Sequence, residues 1–211
     1  MPGKVVKFAP VPQDDRLHQG EILVGLVRVR QAVASIGAEQ ISVDEISHPF
    51  LIVVTQDCDL AQDADARQSV MKAANAPDLL NDPEFRKAFD GAPRLKIENV
   101  LICEAMATDE RKEIVPPGKD IWKRITQNKD ERYQCLEAAP AECDTKGQGI
   151  PSISCDFKRY LTIPADELYR RIELAQVERR TRLVTPYAEH LLQRFFSFQT
   201  RIPLPENHSF S

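Results

Sequence analysis

The chain has 211 residues, 42% of them apolar and 28% charged. That composition excludes disorder as its main state and allows one domain with a real hydrophobic core. Lys and Arg number 28 against 32 Asp and Glu, a net charge of −4, which excludes nucleic-acid binding by bulk positive charge but leaves room for a local basic patch.

Residues 1–16 hold three prolines and no periodicity, and read as an extended arm. A β-rich stretch begins at Gly20; Glu21–Arg30 ends in alternation, Val27 and Val29 against Arg28 and Arg30. Pro49–Thr55 is a continuous apolar run rich in β-branched residues, suited to a strand buried on both faces. Residues 63–92 change character: Ala, Asp and Asn dominate, with Leu79, Leu80, Phe85 and Phe89 as apolar marks. Asp82 and Pro83 form a cap and first turn, so this stretch reads as a helical insertion on the strand framework. Strand character returns over Val100–Ala105. Pro116-Pro117-Gly118 is a turn, Asp120–Gln127 a short helix carrying Trp122, and Tyr133–Glu137 a short strand. Ala138–Gly149 is a loop and Ser152–Thr162 another strand. Two helices close the chain over 164–200: Pro164–Arg182, and one opened by Thr185-Pro186 with the stripe Tyr187, Leu191, Phe195, Phe198. Residues 203–211 read as a loose polar tail.

The longest apolar run, residues 49–54, is far below the roughly 20 needed to span a bilayer, and no secretory h-region is visible. With five cysteines, an odd count, this points to reduced thiols in a cytoplasm. Cys135, Cys143 and Cys155 lack the C-x-x-C knuckle of a zinc site, and Cys103 and Cys155 suit small buried hydrophobes on strands.

Chemistry concentrates in Thr55-Gln56-Asp57-Cys58-Asp59, directly after the most apolar strand. A core strand ending in polar side chains holds functional groups rigidly at a rim. Asp57 and Asp59 are the candidate acid–base or metal-binding pair, because two close carboxylates repel unless a cation lies between them. Cys58 is a candidate nucleophile without an adjacent base, and His48 lies at the other end of the strand, roughly 30 Å away at strand rise. The same five residues also suit a plain turn into the insertion. A second group is Asp156 with Arg159, a third Arg132-Tyr133 beside Asn128; an arginine next to an aromatic suits recognition of a carboxylate or a nucleotide. The run Arg179–Arg182 suits either phosphate or the dipole at a helix C-terminus. No Gly-rich phosphate loop is present.

Gln19-Gly20-Glu21-Ile22-Leu23, His48–Thr55 and Cys155–Leu168 resemble the opening strand, second core strand and late strand-to-helix passage of PemK/MazF-type toxin barrels. The resemblance implies an SH3-like barrel and a metal-independent endoribonuclease paired with an antitoxin. His48 stands where that family commonly has arginine, and the insertion has no counterpart in it. The segment TQDCDL resembles a motif of small bacterial proteins linked to phage-defence operons.

These readings combine into an α+β expectation: a small, strongly bent β-barrel, a helical insertion at its rim and two C-terminal helices. The expected function is an interaction module of a bacterial defence or toxin–antitoxin-like system, binding a protein encoded nearby through the rim around Gln56–Asp59. Arg132, Tyr133, Asp156 and Arg159 are further binding candidates. The rival is an endoribonuclease built from Asp57, Asp59, Cys58 and His48, metal-dependent through Asp57 or Asp59 if active. No cofactor and no membrane contact are expected, and a homodimer is compatible with the sequence.

Overall fold

A computed structural model of the chain describes residues 7–114 and 119–201. The expected turn at 116–118, the loose tail and the first part of the arm lie outside the described residues. In chain order the strands and helices are β1 (Phe8–Ala9), β2 (Glu21–Val24), β3 (Val27–Gln31), β4 (Val43–Ser47), β5 (Phe50–Val53), α1 (Asp57–Asn75), α2 (Pro83–Leu95), β6 (Asn99–Ala107), α3 (Thr108–Ile114), α4 (Lys119–Thr126), β7 (Tyr133–Leu136), β8 (Ile153–Pro164), α5 (Ala165–Glu173), β9 (Glu178–Leu183) and α6 (Tyr187–Gln199).

Seven strands form one antiparallel sheet in the order β1-β9-β2-β5-β6-β8-β7. It curls strongly into a half-barrel, which makes the molecule α+β as expected. The pair β3 and β4 forms a separate two-stranded ribbon. Leu51, Ile52 and Val53 of β5 are all buried, because the sheet is covered on both sides. On one face Ile22, Ile52, Cys103, Cys155 and Phe157 pack against Leu191 and Phe195 of α6. Phe157 and Phe195 meet edge to face, centroids 5.8 Å apart. On the other, Leu23, Leu51, Val53 and Ile102 pack against Leu60 of α1 and Leu168 of α5. Full burial of each such side chain contributes about 1.5–3 kcal/mol.

Three expectations need correction. The stretch Glu21–Arg30 is two strands in different sheets. The break is Gly25, at φ 95°, where a Cβ would stand 2.9 Å from the Gln176 carbonyl oxygen. The helical insertion starts at Asp57, not residue 63, and ends at Leu95, so the TQDCDL segment is a helix start rather than a loop. Leu60, Asp63 and Ala66 are buried along its inner side. Finally, Pro164–Arg182 is not one helix. It is α5 followed by β9, with the reversal at Ala175, φ 53°. Strand β9 pairs with both β1 and β2, so Arg179–Arg182 lie on a strand rather than complementing a helix dipole. The expected strands at 100–105, 133–137 and 152–162 are present as β6, β7 and β8, and the last helix as α6.

Candidate functional site

The rim after β5 is built from three segments. Gln56 has extended backbone and caps α1, and Asp57 is the first helical residue. A carboxylate there is favoured by the exposed N–H groups and the macrodipole. Asp57 is also engaged by the arm: Arg16 donates to its carboxylate and, at 2.8 Å, to its carbonyl, and the Gln19 N–H donates to Oδ1 at 3.2 Å. Buried His18 lies between Asp57, 3.4 Å away, and Asp14, 3.1 Å away. Next to it Glu21, fully buried, accepts from Arg179 and from the His18 N–H. Thr55 continues the sheet, its Oγ1 accepting from the Leu101 N–H at 2.7 Å. Gln56, Cys58 and Asp59 remain exposed, with the Cys58 thiol 3.6 Å from Gln56 Oε1 and 3.7 Å from Asp59 Oδ1. Asp57 is therefore a structural tie, and the rim offers one free carboxylate beside one free thiol.

The second cluster gathers four of the expected binding residues. Arg132 donates to both oxygens of buried Asp156, at 2.7 and 2.6 Å, with its guanidinium 4.8 Å from the centroid of the Tyr133 ring. Burial works against the Asp156 carboxylate, but the Arg132 bonds, the Lys158 N–H and the charges of Arg132 and Arg111 outweigh it and hold its pKa below the usual range. Arg159 donates to Glu104 at 2.9 Å, and Glu104 in turn meets His48 Nδ1 at 2.9 Å. His48 thus belongs to this cluster. The two clusters share no residue, and among the described residues no hydrogen bond or ion pair joins Asp57 or Asp59 to His48 or Arg159.

Sequence reasoning missed Asp14, Arg16, His18 and Glu21 at the rim, and Glu104 and Arg111 in the second cluster, and it read Arg179 for phosphate or a helix dipole rather than for Glu21. None carries a local signal; each is recruited by strand pairing or by the arm crossing the sheet. Among the described residues no three His, Cys, Asp or Glu side chains gather as metal ligands. Cys143 donates to the Phe8 carbonyl, and Cys155 and Cys103 sit in the core, as small buried hydrophobes on strands do. An open cleft of about 330 Å³ lies where edge strands β1 and β7 approach, lined by Phe8, Gln134, Leu136, Tyr187 and His190 among others. Of the groups singled out in the sequence it holds Asn128, but not Arg132, Tyr133, Asp156, Arg159 or the Gln56–Asp59 rim.

Among the described residues, exposed aliphatic side chains gather on the β3–β4 ribbon and its tip. Val29, Val33, Ile36, Ile41 and Val43 are between 60% and 71% exposed. An isolated two-stranded hairpin is marginal in water, and a contiguous exposed aliphatic patch marks a contact surface. Comparisons with protein-family models, with curated proteins and with solved structures returned no match.

Proposed function

We propose that this chain is a protein-binding module, and that the β3–β4 ribbon is its principal contact element. The single observation that carries the reading is the run of exposed branched side chains, Val29, Val33, Ile36, Ile41 and Val43, on a ribbon that no other part of the described chain covers. The rim at Gln56, Cys58 and Asp59 is the second exposed surface, and in this reading an accessory contact. The setting, a bacterial defence or toxin–antitoxin-like system with the partner encoded nearby, rests on the TQDCDL and barrel resemblances. The strongly curled sheet is the coarse feature shared with PemK/MazF-type barrels, and kinship with them rests on the sequence resemblance alone.

Binding is favoured over RNA cleavage because the groups a nuclease needs are separated and engaged. Asp57 is tied to Arg16 and Gln19, while His48 meets Glu104 in the other cluster. In-line attack needs its base, acid and phosphate donor around one atom.

The test is site-specific photo-cross-linking of the full chain in its own cells, with a photo-activatable residue at position 29 or 43 and, as controls, at exposed Lys72 or Arg86. The expected result is one discrete adduct from the ribbon positions and none from the controls. Equal, diffuse labelling from all four positions overturns the reading.

A further inference from the structure

The ribbon's backbone decides what kind of partner it takes. The Ala32 N–H donates to the Ser42 carbonyl at 2.9 Å and the His48 N–H to the Leu26 carbonyl at 3.0 Å. In the register Arg28↔Ile46, Arg30↔Asp44, antiparallel alternation places the backbone bonds of residues 26, 28, 30 and 32 toward β4. The N–H and C=O groups of Val27, Val29 and Gln31 therefore point away from it. The Val27 carbonyl accepts from Arg171 at 3.2 Å; those of Val29 and Gln31 face an edge that no strand among the described residues pairs with.

We propose that the outer edge of β3 accepts an extended segment of a partner protein that alternates branched aliphatic with acidic residues, adding a third strand to the ribbon. The inference rests on the reading of the ribbon as the contact element. Directly opposite side chains share a face. Val27 and Val29 stand on one face of β3, where an incoming strand meets them with aliphatic side chains. Arg28 and Arg30 stand on the other, where it meets them with carboxylates. Arg28 makes no ion pair among the described residues, and Arg30 reaches Asp44 only at 3.7 Å, so both guanidinium groups can turn to a partner. Backbone bonds would supply affinity and the alternating pockets specificity.

A second copy of this chain is disfavoured as occupant. Two-fold pairing of β3 with itself sets Arg28 and Arg30 beside their own kind, and two-fold pairing of β4 does the same with Asp44 and Glu45. Pairing β3 with another copy's β4 is a head-to-tail contact, which builds rings or open filaments rather than a closed two-fold dimer. The β4 edge is the poorer template for a partner as well, because Glu45 interrupts its aliphatic face.

The experiment measures binding of fluorescent peptides to the full chain, using a nine-residue Val-Glu alternating peptide, its Val-Lys counterpart and a Val-Ser counterpart. The Val-Glu peptide is expected to bind best and to weaken as salt is raised. Arg28→Glu with Arg30→Glu should weaken it about tenfold or more. Val29→Pro should abolish it while leaving the circular dichroism unchanged, since that proline removes only an outward N–H. Equal binding of the three peptides, indifference to both variants, or self-association through the ribbon overturns the partner chemistry, while ribbon cross-links still uphold the binding module. Absence of all peptide binding together with absence of ribbon cross-links overturns both.

Discussion

Arg179 grips Glu21 with both ends of its guanidinium, Nε at 2.7 Å and a terminal nitrogen at 2.6 Å, across 158 residues of sequence. The carboxylate is fully buried, and Arg179 also donates to the carbonyls of Asp14 and Arg16. One side chain thus fastens β9 to β2 and the arm to both. Burial pushes the Glu21 carboxyl above its usual range even with the arginine beside it, so desolvation outweighs the attraction. Each single substitution, Glu21→Met or Arg179→Met, should destabilise by about 3–5 kcal/mol, because it strands the other charge. The double substitution should cost less than either one. Urea unfolding of the four proteins checks this; additive losses would refute it.

Asp144 predicts an acid-sensitive step. It accepts from Arg180 at 2.7 Å on each oxygen and from the N–H groups of Lys146, Gln148 and Gly149. The Arg180 bonds lead in lowering its pKa, to about 2 from an ordinary 3.8. A lowered carboxylate contributes stability that is complete above its unfolded pKa and is lost as pH falls through the folded one. The contribution is about 2 kcal/mol, present at neutral pH and lost from about pH 4 to pH 2. Asp144→Asn should remove that part of the acid dependence and lower neutral stability by a similar amount. Stability measured by urea unfolding at stepped pH reads both effects.

The thiols should separate by rate. Cys58 is exposed, Cys135 half-buried, and Cys103, Cys143 and Cys155 buried. Access limits reaction with a thiol reagent, so the native chain should show one fast thiol, one slow one and three that appear only on unfolding. Cys58→Ala should delete the fast phase alone. A fast phase surviving that substitution would count against the burial pattern.

Removing residues 63–92 should cost the chain its cooperative transition. The sequence presents that stretch as a helical insertion on the strand framework, but Asp63 is fully buried, receives Arg67 at 2.7 Å and the Ile97 N–H at 3.1 Å, and Arg67 reaches on to Asp166 of α5. Deletion would remove that tie to α5 and leave Leu60, the α1 residue on the core face that holds Leu51, Val53 and Leu168, on a short stub of the helix. A deletion variant that still melts cooperatively would show that the sheet stands without it.

Purified chain should not cleave mixed-sequence single-stranded RNA in EDTA. Asp57 is tied to the arm and His48 to Glu104, and the loss of one positioned donor typically slows such a reaction about a hundred- to thousandfold. Robust cleavage that His48→Ala abolishes would restore the toxin reading.

What the sequence determined by itself were features written in short-range pattern. The aliphatic run at Leu51–Val53, the cap at Asp82 with Pro83, and the stripe Tyr187, Leu191, Phe195 each carry local chemistry that forces a strand or helix. Asp82 does accept from the Glu84 N–H. The joining of Arg132, Tyr133, Asp156 and Arg159 was visible only as suspicion attached to each. Tertiary structure alone decided the rest. Glu178–Leu183 has the composition of a helix end, yet two neighbouring strands and the buried carboxylates of Glu21 and Asp144 hold it as a strand. The rim's chemistry was decided the same way: Asp57 looks free in sequence and is claimed by Arg16, His18 and Gln19 from 38–41 residues upstream. A charge's role depends on which opposite charge folding brings within a few ångströms, and no local pattern records that distance.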